Sequence, residues 1–270
     1  MRILFVGDIM GKPGREAVQR SVPHLRSEKN VDFVVANAEN AAAGRGLTPL
    51  IAEELFKNGV DVVTMGNHTW DRPEIEPLLS QNRVLRPANY PPVLPGHGSA
   101  LFDVGGTPVA VIQVMGRHNL ANIDCPFRTA DQLLKEISAK VIVVDMHAEA
   151  TSEKQAMGWY LDGRVSAVLG SHTHVQTADE RVLPGGTAYL GDAGMTGPRD
   201  GIIGGDRQMS LRRFLTGIPS RVEVAEGDAQ FCACLVDVDE RTGKAQKIER
   251  ILDVLSRSVN PQDRPMDMKR

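Results

Sequence analysis

Cysteine, aromatic residues and long apolar runs are all scarce in this sequence. Its three cysteines, Cys125, Cys232 and Cys234, form an odd set without a CxxC pair, which suits a reducing compartment and argues against a thiolate metal cage. Every apolar run is shorter than the roughly 20 residues that a membrane span needs. The start, MRILFVGD, has no separate apolar segment before a cleavage site, so we expect a cytoplasmic protein.

Excess charge is also lacking. A formal net charge of -3 provides no long-range attraction for polyanions, so we expect no bulk nucleic-acid binding, and no membrane partner, but a small anionic substrate remains compatible. The 270 residues, 41% of them hydrophobic, are ample for one α/β domain, and no linker divides them. We therefore predict a single domain over residues 1–255. The polar, proline-containing segment 256–270 is predicted to be a flexible tail.

Short β-branched runs alternate with helix-like stretches along the chain, a pattern typical of α/β layers. The predicted strands are residues 3–6, 33–36, 60–65, 109–114, 141–144, 167–169 and 188–190. The predicted helices are residues 14–29, 48–57, 72–79 and 129–137, with a shorter one ending at Gly217. Residues 89–106, rich in proline and glycine, are predicted to be a loop, and two late strands, 229–238 and 245–251, to form a hairpin.

Metal-binding residue types follow five of these strands. The residues concerned are Asp8, Glu39, Asn40, Asn67, His68, His147, His172 and His174. Ligands in open α/β sheets bind beyond the carboxyl ends of the strands, so residues far apart in sequence are expected to meet at one edge. Carboxylate, carboxamide and imidazole groups without cysteine suit manganese, iron or zinc.

Each segment by itself also has a purely structural interpretation. Asp8 could begin a helix or turn, and His147 could be a hydrogen-bonded core histidine. The two histidines of the segment GSHTH, His172 and His174, could belong to a solvent-facing strand end, although period-2 geometry would place both on one side of an extended segment. All five segments together favour a metal site.

The order of these motifs resembles that of the calcineurin-like metallophosphoesterase superfamily: GD, a carboxylate, GNH, a histidine and GSHTH. More narrowly, five stretches are similar to the YmdB-like branch of bacterial phosphodiesterases: MRILFVGDIMGKPGR, ANAENAAAGRGLT, MGNHTWD, GSHTHVQTADE and GDAGMTGPRDGIIG. The resemblance spans nearly the whole chain. It implies a four-layer α/β/β/α sandwich of two mixed β-sheets flanked by helices.

Two positions depart from the broader superfamily pattern. Where many members have Asp-x-His, this chain has Asp8 followed by Ile9 and Met10, so one histidine ligand is missing. Where the bridging residue is usually Asp, this chain has Glu39, with Asn40 beside it to supply the lost ligand. Both changes match the YmdB-like branch.

Carried over by position, the resemblance implies two metal ions per chain, with iron favoured and manganese or zinc as alternatives. One ion would be bound by Asp8, Glu39, Asn40 and His174, and the other by Glu39, Asn67, His147 and His172. Glu39 would bridge the two ions. His68 would be a proton donor that binds neither.

The implied activity is hydrolysis of cyclic nucleotides of the 2',3'-cyclic AMP type. Paired ions can hold phosphoryl oxygens and lower the pKa of a bridging water, so that hydroxide attacks phosphorus while His68 protonates the leaving oxygen. Two alternatives remain open: a phosphomonoesterase or nucleotidase using the same site, and a nucleotide-sensing regulator with little turnover. The glycine-rich stretch after Asp192 and the late apolar hairpin also make homo-oligomers compatible with the sequence.

Overall fold

The structure is a computed structural model that describes residues 1–256. The strands are β1 Arg2–Val6, β2 Asp8–Ile9, β3 Phe33–Asn37, β4 Val62–Thr64, β5 Val84–Leu85, β6 Ser99–Val104, β7 Thr107–Met115, β8 Val141–His147, β9 Ala167–Ser171, β10 Arg181–Val182, β11 Ala188–Leu190, β12 Met195–Pro198, β13 Ala229–Val238 and β14 Ala245–Leu255. The helices are α1 Gly11–Lys29, α2 Pro49–Lys57, α3 Glu76–Leu79, α4 Pro126–Glu136, α5 Thr151–Leu161 and α6 Arg207–Thr216. Apart from Ser256, the predicted tail 256–270 lies outside the described residues.

Two mixed sheets form the centre of the fold. The first has the order β2-β12-β13-β1-β3-β4-β5, with β14 also paired to β13, and the second has the order β10-β11-β9-β8-β7-β6. Strands β1, β3, β4 and β5 are parallel to one another, and so are β7, β8, β9 and β11. In each sheet, the carboxyl ends of several parallel strands therefore lie along the same edge.

Within residues 1–256, three apolar cores separate four layers, which confirms the predicted α/β/β/α sandwich. The alternating side chains of β1 show the arrangement, because Leu4 and Val6 pack with α1 and α2 while Ile3 and Phe5 pack against the second sheet. A third core lies between the outer face of the second sheet and helices α4 and α5. Cys232 and Cys234 are buried in β13, as small core residues would be.

Several local features differ from the prediction. The predicted loop 89–106 contains β6, an edge strand whose half-exposed side chains gave little apolar signal but which pairs along its length with β7. Helix α5 was not predicted, because its sequence TSEKQAMGWYL lacks a clear apolar stripe. The stretch 72–79 is only a 3₁₀ turn, Pro73–Ile75, followed by the single turn of α3. The late hairpin of β13 and β14 and the end of α6 at Gly217, which has a φ of 68°, are confirmed.

The helices of the described part, residues 1–256, include none that combines the length and apolar character needed to cross a membrane.

Candidate metal centre

The carboxyl-end edges of the two sheets meet, and the eight predicted site residues gather there. Asp8 lies in β2, directly beyond β1, while Glu39 and Asn40 follow β3 and Asn67 follows β4. His147 ends β8, and the GSHTH segment leaves the end of β9. Asn37 of the first sheet contacts the second, since its Nδ2 donates to Asp145 Oδ2 at 3.3 Å. The prediction that distant segments converge is thus confirmed by the geometry.

Four side chains converge on one ring nitrogen and form what we call the inner group: Glu39, Asn67, His147 and His172. Around His147 Nε2 lie Asn67 Oδ1 at 3.0 Å, Glu39 Oε1 at 3.1 Å and His172 Nδ1 at 3.1 Å. Donor atoms of Glu39, His147 and His172 all lie within 4.8 Å of one another. One ring nitrogen cannot donate hydrogen bonds to three acceptors at once. Oxygen and imidazole nitrogen atoms grouped around a small volume are instead the ligands that a transition-metal ion prefers.

A second set, the outer group, consists of Asp8, Asn40 and His174. Asn40 Nδ2 lies 3.2 Å from His174 Nε2, and His174 Nδ1 donates to the carbonyl oxygen of Ile203 at 2.8 Å. That hydrogen bond leaves Nε2 as the nitrogen available to bind a metal ion. Asp8 Oδ2 accepts the backbone N–H of His172 at 3.0 Å.

The other oxygen of Asp8 is the clearest indication that a cation belongs here. Asp8 Oδ1 is buried and has no hydrogen-bond partner among residues 1–256. Leaving a buried acceptor unpaired costs about 1–3 kcal/mol, and more for a charged group. An ion bound beside Asp8 would remove that cost, so the residues present fit a metal ion.

The ionisable groups of the site shift one another's pKa values. Burial raises the pKa of Asp8 to about 6. Burial also opposes ionisation of Glu39, but the adjacent His147 outweighs it and lowers the pKa of Glu39 to about 2. Burial lowers and Glu39 raises the pKa of His147, to about 9 overall, while burial and His147 lower the pKa of His172 to about 3. Two carboxylates and two imidazole rings thus share a volume that excludes water, and the charge of each group affects the protonation of the others.

Steric constraints explain the glycine before Asn67. A Cβ on Gly66 would collide with the His147 ring and with Glu39 Oε2, so any larger residue would push the inner group apart. The φ of Gly66 is not in the left-handed region, so this close approach, and not a sharp turn, is the reason for the glycine.

The two histidines of GSHTH are not on an extended segment. Strand β9 ends at Ser171, and the φ angles of His172 and His174 are 101° and 65°. The expectation that both would share one side was therefore wrong, because the backbone turns and sends one histidine to each group. Left-handed conformations cost non-glycine residues about 1–3 kcal/mol each and persist where the surroundings impose them.

Asp145 and Ser171 support the inner group, and the sequence interpretation missed both. The Ser171 hydroxyl donates to Asp145 Oδ1 at 2.6 Å, so its oxygen is free to accept the Nδ1–H of His147 at 2.8 Å. Thr64 donates to the other oxygen of Asp145 at 2.6 Å. This chain of hydrogen bonds keeps Nε2 of His147 as the nitrogen facing the inner group. The available signal was an aspartate inside the apolar run VIVVDMH.

His68 lies outside both groups. Its Nδ1 is 2.9 Å from Asp71 Oδ2, its side chain is 23% exposed, and its backbone N–H donates to Glu39 Oε2 at 2.9 Å. Asp71, a third residue that the sequence interpretation missed, orients the ring and was signalled by the spacing in HTWD. His68 is therefore tied to the Glu39 carboxylate through its backbone, while its ring lies outside both groups.

Comparisons with known proteins find relatives that match nearly the whole chain. The chain is 51% identical over 255 residues to a 2',3'-cyclic-nucleotide 2'-phosphodiesterase from Bacillus subtilis, which covers 93% of this chain and 97% of the relative. A crystal structure of a hypothetical protein from Thermus thermophilus superposes with a TM-score of 0.91 at 46% identity, covering 94% and 100% of the two chains. A Mycoplasma pneumoniae structure described as a novel phosphatase gives 0.91 at 33% identity, covering 97% and 95%.

The family that the motifs resemble is confirmed over most of the sequence. The model of the YmdB-like protein family matches residues 4–251, a range that includes every predicted site residue. With the fold, the two donor groups and relatives that span nearly the full length, the chain belongs to the YmdB-like protein family.

Proposed function

We propose that this protein is a metal-dependent phosphodiesterase that hydrolyses 2',3'-cyclic nucleotides. The observation that carries the proposal is the convergence of seven side chains that have oxygen or nitrogen donor atoms with a histidine, His68, that lies beside them but outside both groups. The choice of substrate rests on the Bacillus subtilis relative, whose name specifies this activity.

The proposed assignment has two ions per chain. One is held by Asp8, Glu39, Asn40 and His174, and the other by Glu39, Asn67, His147 and His172, so Glu39 belongs to both. The unpaired oxygen of Asp8 supports the first set, and the cluster around His147 Nε2 supports the second. When bound, such ions polarise a phosphoryl group and activate water for attack. The donor set suits iron, which the family resemblance favours, as well as manganese or zinc.

The protein's own groups supply the proton chemistry. Asp71 holds the His68 ring through Nδ1, which leaves Nε2 as the nitrogen that can give a proton to the departing ribose oxygen. Glu39 accepts the backbone N–H of His68 and so fixes the distance between this acid and the metal-binding carboxylate. Burial of Asp8, Glu39 and His147 keeps water away from the rest of the site and strengthens its electrostatics.

A phosphomonoesterase and a nucleotide-sensing regulator are the competing functions. The test is to purify the protein without added metal, measure its metal content, and assay turnover of 2',3'-cyclic AMP, a linear bis-ester and a monoester. The proposal expects about two metal equivalents and fastest turnover of the cyclic substrate. Faster turnover of the monoester would replace it with a phosphatase, and tight nucleotide binding without turnover would replace it with a regulator.

Three further expectations stay predictions: a single domain over residues 1–255, a cytoplasmic location and self-association. Exposed apolar side chains on α6, with Phe214 78% and Leu215 83% exposed, support self-association. Light scattering after size-exclusion chromatography measures the mass directly, and a monomer mass at all concentrations would reject it.

A further inference from the structure

A fully buried ion pair lies behind the GSHTH segment. Lys154 of α5 and Asp192, which follows β11, are each about 1% exposed, and Lys154 Nζ lies 2.6 Å from Asp192 Oδ2. Buried ion pairs contribute little to stability compared with apolar packing, because both charges lose their hydration. The pair therefore needs an explanation other than stability.

The remaining hydrogen bonds of Asp192 indicate its role. Its Oδ2 accepts both the backbone N–H of Thr173, at 3.0 Å, and the Thr173 hydroxyl, at 2.7 Å, while its Oδ1 accepts the N–H of Gly194 at 2.8 Å. Thr173 stands between the two histidines of GSHTH. The carboxylate thus holds the middle residue of this segment by two bonds, and Lys154 holds the carboxylate.

The backbone around Thr173 is the part of the site that most needs such an anchor. His172 and His174 both have φ in the left-handed region, and such conformations persist only where neighbouring contacts impose them. From these positions His172 Nδ1 reaches the inner group and His174 Nε2 reaches Asn40 in the outer group. Displacement of Thr173 would therefore disturb both groups together.

We propose that Lys154, Asp192 and Thr173 form a clamp that positions one histidine of each metal site at once, so that binding of the two ions depends on a single buried anchor. The inference rests on the proposed function, because it takes the two groups to be metal sites. These three are positioning residues, since their contacts are with the backbone and with one another.

The support of His147 offers an internal comparison. Asp145 and Ser171 contact the Nδ1 side of His147, which belongs to the inner group alone. Loss of the Ser171 hydroxyl is therefore expected to weaken the binding of one ion, whereas loss of the clamp is expected to weaken the binding of both. This difference distinguishes a clamp that supports both groups from hydrogen bonds that support a single ligand.

The test is a calorimetric titration of the full-length, metal-stripped protein with Mn²⁺, alongside thermal unfolding. Thr173→Val removes the hydroxyl but keeps the backbone N–H and the branched shape, and Thr173→Ser keeps both donors. A double variant, Lys154→Met with Asp192→Asn, removes both buried charges together. Leu161→Ala, at a fully buried position of the same helix, is the matched control for lost stability alone.

Wild type and Thr173→Ser are expected to bind two Mn²⁺ ions alike. Thr173→Val and the double variant should bind both ions about 10–100-fold more weakly, the usual effect of losing a supporting hydrogen bond. Ser171→Ala should weaken only one ion, and Leu161→Ala should lower the unfolding temperature without changing either affinity.

If Thr173→Val bound both ions with wild-type affinity, or bound only one of them more weakly, the clamp would be overturned. The proposed phosphodiesterase activity would not be affected by that result. Failure of the wild type to bind Mn²⁺ would overturn the metal assignment and the clamp with it.

Discussion

The floor and the rim of the site are built in different ways. The floor consists of Asp8, Glu39 and His147, which lie at or just beyond strand ends in the middle of the two sheets and are almost wholly buried. The rim consists of His68 and Asp71, which lie in the turn after β4 and are partly exposed. Charge held in the floor interacts strongly because water is excluded, whereas a group that exchanges protons with a substrate must be reachable. The difference suggests that the floor binds ions and the rim performs proton transfer.

Loss of Glu39 should have the largest effect, because its carboxylate is proposed to belong to both ion sites. Glu39→Ala is expected to contain neither metal and to show no turnover above background, as measured by elemental analysis and by hydrolysis of 2',3'-cyclic AMP. Glu53→Ala, at an exposed position of α2, is the control and should match the wild type. Retention of either ion by Glu39→Ala would remove the bridging role.

His68→Ala tests the rim. It is expected to keep both ions and to lose about 10²–10⁴-fold in turnover, which is the usual contribution of a positioned general acid. The exposed His24, paired with Glu28 on α1, provides a matched control, and His24→Ala should retain full activity. If His68→Ala emptied the site as completely as Glu39→Ala, the separation of floor from rim would be wrong.

Asp145→Asn tests the support beneath the floor. It removes a negative charge from the hydrogen-bond chain behind His147, so we expect affinity for the inner ion to fall about 10–100-fold while the outer ion is unaffected. Titration with Mn²⁺ measures both. Equal weakening of the two ions would show that the support is not specific to the inner group.

Asp71→Asn tests the support of the rim and should have the smallest effect. The change replaces the charged acceptor of the His68 hydrogen bond by a neutral amide oxygen, and a cost of about 1.5 kcal/mol corresponds to roughly a tenfold loss of turnover with unchanged metal content. Steady-state kinetics and elemental analysis on the same preparation provide the two measurements. A change in metal content would show that Asp71 supports metal binding instead of proton transfer.

Most of the floor was predictable from sequence. Asp8, Glu39 and His147 each stand at or just beyond the end of an apolar strand, and parallel strands end at a shared edge. The residues that support the histidines of the site were not predictable, since Asp145, Lys154 and Asp192 act through contacts between elements far apart in the chain. Lys154 lies on a helix without a clear apolar stripe, where an ordinary lysine would be solvent-exposed.

The sequence by itself determined the layers, the family and the list of candidate ligands, because strand periodicity and short motifs are local properties of the chain. Only the tertiary structure decided how the backbone directs His172 and His174 to different groups and why residue 66 must be glycine. It also decided which buried charges hold the GSHTH turn. Those outcomes depend on left-handed backbone angles and on contacts between the two sheets, which no local pattern specifies.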